Sequence, residues 1–346
     1  MTKYTLPPMR PELIVCPNSA CGASDRIGIH SHQERRYICH TCARTFSETK
    51  GTLLYGLHHP TWLVTVVLTL LAFGCPLPAI VAAFALDERT VADWQQKAGD
   101  HARRVQEQEV CAGQVDLGQV QADELYVKTQ HGPVWMATAM CVFARLFIWG
   151  AVSPHRDAAL LTRVMQQVRA AARRGQAILF AVDGLASYPT TILRTFRDPV
   201  STGRRGRPRL VVWADLHIVQ VVKHRTGKAV TAVTRRVAYG SGPAAQELMA
   251  ATQVLLGVIN TAYVERLNAT LRTWMPALTR RSRTPARDVA LLEARMFWTG
   301  VVYNFCHVHA SLGGTPAMAA DLTDHIWSVE ELIRHGGPHR QLHAIL

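Results

Sequence analysis

Strand-like apolar runs alternate with turn signals after Val115, and this pattern predicts three consecutive β-strands. The segments are QVQADELYVKT, VWMATAMCV and RLFIWGAVS, with the turn signal HGP after the first. A helical period then extends from Arg156 to Arg174. The apolar run from Ala177 to Val182 predicts a buried strand, and SYPTTILRTF predicts another helix.

Three strands, a helix, a strand and a helix form the order of an RNase H-like domain, so the predicted fold class is α/β. In that architecture the first and fourth strands lie side by side, which would place Asp123 next to Asp183. We predict this catalytic domain at 113–320. A basic loop and a hairpin are predicted as an insertion at about 198–242, and a C-terminal tail at 321–346.

A further helix is predicted for NTAYVERLNATLR, residues 260–272. Helical spacing puts Glu265, Asn268 and Arg272 on one face and most of an apolar set on another. Asn268 could position a carboxylate or a substrate, or could be an ordinary helix-face amide. A long helix from Arg287 to about His307 is predicted to pack on the sheet.

The segment from Trp62 to Leu86 carries no charge and is long enough to cross a bilayer. Gly74, Pro76 and Pro78 interrupt it, however, and leave two pieces of the length of buried helices. With the amphipathic helix that begins after Asp87, the pattern favours a helix-turn-helix domain at 51–112 over a transmembrane segment or a plain helical bundle. Its last helix carries Arg89, Gln95 and Lys97, which we expect to read the major groove.

Four of the eight cysteines form two pairs near the N-terminus, Cys16-x4-Cys21 and Cys39-x2-Cys42. Thiolates in two such pairs satisfy the tetrahedral coordination of Zn²⁺, so we predict a zinc ribbon at 1–50 in a reducing compartment. Buried or incidental cysteines are the alternative, but a segment this short would then lack the metal ion that stabilises its fold.

Lysine and arginine number 38 against 25 acids, and the net charge of +13 indicates a polyanionic partner, nucleic acid before anionic membrane. Two arginine-rich segments, at 194–209 and 272–287, are predicted to contact phosphates. From these we expect DNA contacts by Arg204, Arg205, Arg207, Arg272, Arg280 and Arg281. The N-terminus lacks the apolar core of a signal peptide, so a cytoplasmic, nucleoid-associated location is expected.

Asp123, Asp183 and Glu265 are three carboxylates that two strands and a helix could bring together around Mg²⁺ or Mn²⁺. Each has an ordinary alternative. Asp116 and Asp215 are rival acids, and Glu124 should face the other side of the sheet from Asp123 because strand side chains alternate. Glu265 could instead form a surface ion pair with Arg266 or Arg272. His307 and His309 could contact phosphate or transfer protons, but packed or solvent-facing histidines are the commoner case.

These motifs resemble, in order, those of insertion-sequence transposases with a DDE catalytic triad, close to the insertion-sequence-one type. RYICHTCARTFS is similar to the end of the family's zinc ribbon, QADELYVKT to its first-aspartate strand, AVDGLASYP to its second-aspartate motif and NTAYVERLNATLR to its glutamate helix. YNFCHVHASLGGTPAMAA resembles the C-terminal signature. Tyr126 stands where a tryptophan is more usual, and the 82 residues between Asp183 and Glu265 exceed the spacing of compact members.

The resemblance implies a transposase whose triad is Asp123, Asp183 and Glu265. It implies metal-dependent cleavage at transposon ends, followed by attack of the freed 3′-hydroxyls on target DNA. The zinc ribbon and helix-turn-helix would bind terminal inverted repeats, and paired ends imply at least a homodimer on DNA. A catalytically silent DNA-binding regulator derived from such a protein is the alternative.

Overall fold

The computed structural model describes residues 8–201, 203, 206–227, 229–252, 257–279 and 285–337. The chain divides into two compact units. The small unit comprises Met1–Val66 and Ser328–Leu346, and the large unit comprises Val67–Trp327. The predicted boundaries at 50, 112 and 320 therefore differ from the observed division.

The small unit contains an antiparallel sheet of three short strands, β1 (Ile27–Ser31), β2 (Arg36–Cys39) and β3 (Thr45–Ser47). Ile14, Tyr37 and Phe46 are buried with two of the cysteines in its core. A short C-terminal helix, Val329–Arg334, also belongs to this unit, where the Ile333 carbonyl accepts from the Leu53 N–H at 3.0 Å.

The apolar segment forms two helices, α1 (Thr61–Ala72) and α2 (Leu77–Phe84), and α3 (Glu88–Val105) follows. Gly74 has a φ of +88° at the break, and the Asp87 carboxylate caps α3 by accepting from the Arg89 N–H at 2.8 Å. No helix in the described ranges is long and apolar enough to cross a membrane.

The α3 helix packs on α8 (Val289–Phe305) within the large unit, which explains why the helices are not a domain of their own. The two helices approach closely at Gly99, where a Cβ atom would lie only 2.3 Å from the Cα of Ala294. An apolar stripe on α3, including Val91, Trp94 and Ala98, is buried.

The large unit is built on a six-stranded mixed sheet with the order β11-β10-β7-β4-β5-β6. The strands are β4 (Gln119–Thr129), β5 (Gly132–Cys141), β6 (Leu146–Ser153), β7 (Ile178–Asp183), β10 (Leu216–Thr226) and β11 (Ala229–Tyr239). The first three pair antiparallel, whereas β4, β7 and β10 are parallel to one another. The predicted adjacency of the first and fourth strands of the domain is confirmed by the pairing of β4 with β7.

One prediction about the sheet is wrong, because the segment at 198–242 is not wholly an insertion. Only β8 (Arg197–Val200) and β9 (Arg209–Val212) form a separate two-stranded hairpin. β10 pairs in parallel with β7 from Leu216 opposite Ile178 to Val221 opposite Asp183, so it is an integral strand of the main sheet.

The described part of the large unit also contains the helices α4 (Ala158–Ala171), α5 (Ser187–Thr195), α6 (Gly242–Thr252), α7 (Ala262–Trp274) and α9 (Pro316–Ala319). The C-terminal helix of the small unit is α10. Helices α4 and α5 pack together, and α7 contacts β4 and β5. This arrangement brings the α7 helix to the strands that carry the predicted acids.

Candidate functional site

Asp123 and Asp183 lie side by side because of the register between β4 and β7. The last paired residues of the two strands are Ala122 and Val182, and each aspartate is the next residue along its strand. The β7 strand ends at Asp183, whereas β4 continues along β5 to Thr129, so both carboxylates lie at the point where the pairing of β4 with β7 stops. The predicted rivals Asp116 and Asp215 precede the first residues of β4 and β10, at the opposite end of these strands.

Asp123 is held by a buried hydrogen-bond chain from α7. The Asn268 amide donates to Asp123 Oδ2 at 2.9 Å, and the Thr138 hydroxyl donates to Asn268 Oδ1 at 3.0 Å. Burial and then the negative charge of Asp183 raise the pKa of Asp123, while the Asn268 hydrogen bond opposes that rise. Asn268 is 1% exposed, so of its two predicted functional roles the structure favours positioning a carboxylate over contacting the substrate DNA.

Glu265 lines the same pocket as the two aspartates, with Asn268 and Arg272 from its own helix. The predicted shared face of α7 is therefore present. Glu265 Oε1 accepts from the Thr261 hydroxyl at 2.7 Å and from the Lys223 ammonium group. Glu265 thus forms an ion pair with a lysine of β10.

Glu124 is an acid of the site that the sequence analysis set aside. Ligand oxygens of Asp123, Glu124 and Asp183 all lie within 4.8 Å of one another, so the expectation that only one of the adjacent acids reaches the site is wrong. The Glu124 side chain is fully buried; its Oε1 accepts from the Tyr188 hydroxyl, and its Oε2 accepts from Arg156. Burial raises the pKa of Glu124 and holds that of Tyr188 well above its ordinary value.

The resulting pocket has a volume of about 770 Å³ and is lined by four carboxylates and three cationic side chains. The carboxylates belong to Asp123, Glu124, Asp183 and Glu265, and the cations to Arg156, Lys223 and Arg272. Carboxylate oxygens are the ligands that Mg²⁺ and Mn²⁺ prefer, and a mixture of acids and bases suits a metal-bound phosphate. The chain matches no family model and no curated protein.

The four predicted cysteines form a second candidate metal site, in the small unit. Their sulfurs lie within 4.8 Å of one another. The Sγ atoms of Cys16 and Cys42 are 3.7 Å apart, and so are those of Cys21 and Cys39. The backbone N–H of Arg44 contributes most to lowering the pKa of Cys42 to about 6, which favours a thiolate ligand. The group as described contains no histidine.

The predicted DNA-reading face of α3 is only partly exposed. Gln95 is 4% exposed and lies on the face that is buried, so the prediction that it reads a groove is corrected. Arg89 and Lys97 are exposed. Acids and bases are equal in number among the exposed charged residues of α3, which are Glu88, Arg89, Asp93, Lys97, Asp100 and Arg104. This face therefore carries little net charge to attract phosphates.

Of the arginines predicted to contact phosphates, Arg207 is exposed beside the β8–β9 hairpin and Arg272 lines the acidic pocket. Arg204, Arg205, Arg280 and Arg281 lie outside the described residues.

His307 lies in an aromatic cluster, with ring centroids 4.9 Å from Trp274 and 6.1 Å from Tyr303. Burial lowers the pKa of His307 and of its neighbour His309, which favours neutral rings at neutral pH. The packed alternative for these histidines fits this environment better than a phosphate-binding cation.

Proposed function

We propose that the protein is a DDE transposase with an RNase H-like catalytic domain, which cuts and joins DNA strands with Mg²⁺ or Mn²⁺ held by Asp123, Asp183 and Glu265. The observation that carries the proposal is the register of the parallel strands β4 and β7, which puts Asp123 next to Asp183 directly after the last paired residues, Ala122 and Val182. The Glu265 helix faces the same pocket. Three oxygen-bearing side chains from separate elements, with arginine and lysine beside them, suit phosphoryl transfer.

The residues fit a divalent metal because oxygens of Asp123 and Asp183 lie within 4.8 Å of one another, and Asp123 is preoriented by Asn268. Glu265 is not part of that acidic cluster, but it lines the same pocket. When bound, such ions supply activation of the attacking hydroxyl and neutralisation of charge on the reacting phosphate. Asp123 and Asp183 would hold them from β4 and β7, and Glu265 from α7 after releasing Lys223. Lys223 and Arg272 would then face the DNA backbone across the same pocket.

The remaining features support a DNA partner. The net charge of +13 favours a polyanion, and the exposed Arg207 belongs to a segment with six arginines. The four cysteine sulfurs have the number and mutual approach that tetrahedral Zn²⁺ requires, so we assign zinc to the small unit. The small unit is proposed to contact the transposon ends, with a dimer forming on paired ends.

The test is cleavage of a plasmid that carries the gene with its flanking DNA, incubated with the purified full chain and Mn²⁺ or Mg²⁺. We expect strand breaks at the element's ends with the parent protein, and loss of cleavage with retained DNA binding for Asp183→Asn. Asp215→Asn is the matched control, because that exposed aspartate lies at the opposite end of the sheet and its φ of +54° suits asparagine.

Equal cleavage by the parent and Asp183→Asn would refute the triad. Specific binding to the ends without metal-dependent cleavage by the parent would favour the silent regulator instead.

A further inference from the structure

Arg156 lies between two of the carboxylates in the pocket. Its Nε and Nη2 donate to Glu124 Oε2 at 3.0 and 2.7 Å, and its Nη2 also donates to Asp183 Oδ2 at 3.0 Å. The guanidinium carbon lies 5.0 Å from the centroid of the Trp135 ring. A single cation therefore neutralises two acids at the position where a divalent ion must reach Asp183.

The two contacts of Arg156 differ in strength. Glu124 is fully buried, receives two hydrogen bonds from the guanidinium and is fixed from behind by the buried Tyr188 hydroxyl. Asp183 receives one bond from Arg156, and its side chain is 36% exposed. The contact with Asp183 is the one that water and ions reach, so it should break first, leaving Arg156 on Glu124.

The charge balance of the pocket gives the reason for such a break. Four carboxylates and three cations leave a single excess negative charge, which is too little to balance two divalent ions. Ions can enter only if a cation withdraws or if anions arrive with them. The phosphates of DNA are such anions, and a guanidinium released from Asp183 is a ready donor for them.

We propose that Arg156 is a displaceable counter-charge: without metal it occupies Asp183, and when a divalent ion takes Asp183 it remains anchored on Glu124 and donates to the DNA phosphate. This inference rests on the proposed metal-dependent function. It assigns Glu124 and Tyr188 as positioning residues, since they act through Arg156. It also makes metal and DNA bind cooperatively, because each relieves the charge that opposes the other.

The test is the affinity of zinc-loaded full-length protein for Mn²⁺ at fixed pH, measured by titration calorimetry, together with the rate of DNA cleavage. Arg156→Met removes the charge but keeps an unbranched stem against Trp135. We expect it to bind Mn²⁺ roughly tenfold more tightly, because a competing cation is lost, and to cleave roughly a hundredfold more slowly at saturating Mn²⁺, because a phosphate donor is lost.

Arg156→Lys keeps the charge and should bind Mn²⁺ as the parent does. Arg163→Met is the matched control, since Arg163 pairs with Glu293 away from the pocket. Arg163→Met should change neither the affinity for Mn²⁺ nor the rate of DNA cleavage.

An arginine with a merely structural role would not give both tighter Mn²⁺ binding and slower DNA cleavage when it is replaced. Mn²⁺ binding that is unchanged or weaker in Arg156→Met overturns the inference, as does Mn²⁺ binding by Arg156→Lys that matches Arg156→Met. Asp183→Asn separates this failure from that of the proposed function. If Asp183→Asn loses Mn²⁺ and Arg156→Met gains none, only the role of Arg156 is refuted; if the parent and Asp183→Asn bind Mn²⁺ alike, the metal site itself is refuted, and the inference with it.

Discussion

Replacing Asp123 by asparagine tests whether the acidic pocket costs stability until metal arrives. Two unit charges 4.8 Å apart, the upper limit for the Asp123 and Asp183 oxygens, repel by about 3.5 kcal/mol at an effective dielectric constant of about 20. Arg156 offsets part of this through its bond to Asp183. An asparagine at 123 can still accept from Asn268, so we expect Asp123→Asn to raise the free energy of unfolding by about 1–2 kcal/mol without divalent ions at pH 7.

The pH dependence of this gain follows from the direction of the pKa shift. Burial raises the pKa of Asp123, so the folded protein holds that proton more tightly than the unfolded chain does. Stability contributed by the protonated acid is complete below its ordinary pKa and is lost as the pH rises through the raised value. The advantage of Asp123→Asn should therefore be largest at neutral pH and shrink toward the ordinary aspartate range.

Mn²⁺ should reverse the order of the two proteins. At a hundred times its dissociation constant, an ion that binds only the folded state stabilises it by about 2.7 kcal/mol, and we expect the parent but not Asp123→Asn to gain this. The assay is urea or thermal unfolding of zinc-loaded protein, with and without Mn²⁺, between pH 5 and about pH 8. Asp215→Asn should follow the parent throughout.

The reasoning is refuted if Asp123→Asn is less stable than the parent at pH 7 without metal. It is also refuted if Mn²⁺ stabilises both proteins equally.

Two further predictions concern the metal site of the small unit and the packing of α3. Cys42→Ser should abolish zinc retention in metal analysis and unfold β1–β3, which would appear as fast amide exchange, because zinc binding contributes on the order of 10 kcal/mol to such folds. The control Cys75→Ser, which lies outside the cluster, should retain zinc. A parent protein that is folded in this region without zinc would contradict the prediction. Gly99→Ala should lower the stability of the large unit by about 1–3 kcal/mol despite the higher helix propensity of alanine, because its Cβ would meet Ala294 at 2.3 Å. Gly242→Ala, whose nearest contact is an ordinary 3.6 Å, is the control, and equal melting temperatures of the two variants would contradict the close packing of α3 on α8.

The sequence predicted the helices and strands of the large unit well because their signals are local. Strand-like apolar runs between turn signals identified β4 to β6, and the short apolar run before Asp183 identified β7. The pairing of β4 with β7 followed from the order of the elements along the chain. That order is typical of an RNase H-like domain, in which the first and fourth strands lie side by side. The four-cysteine group was also predictable, because two close pairs at this spacing satisfy the tetrahedral coordination of Zn²⁺.

The failures share a cause, which is that each depends on a partner distant in sequence. Gln95 looked like a surface residue of an amphipathic helix, and it is buried because α8, which lies about 190 residues later, covers a broad face of α3. β10 looked like part of an insertion because nothing local distinguishes a hairpin strand from a sheet strand. Its membership in the main sheet depends on the register with β7, which only the folded chain displays.

The same distinction explains why the acids of the pocket were easier to predict than the groups that control them. An aspartate that ends a strand can be identified from its neighbours in sequence. The counter-charge cannot, since Arg156 lies in the turn before α4, 32 residues from Glu124, and Tyr188 comes from α5. The alternation of side chains along a strand also excluded Glu124, but its longer side chain brings its carboxylate to the cluster, where Tyr188 and Arg156 hold it. The acids alone describe a place for metal, whereas the cations that oppose them determine when metal can enter, and this dependence follows only from the three-dimensional structure.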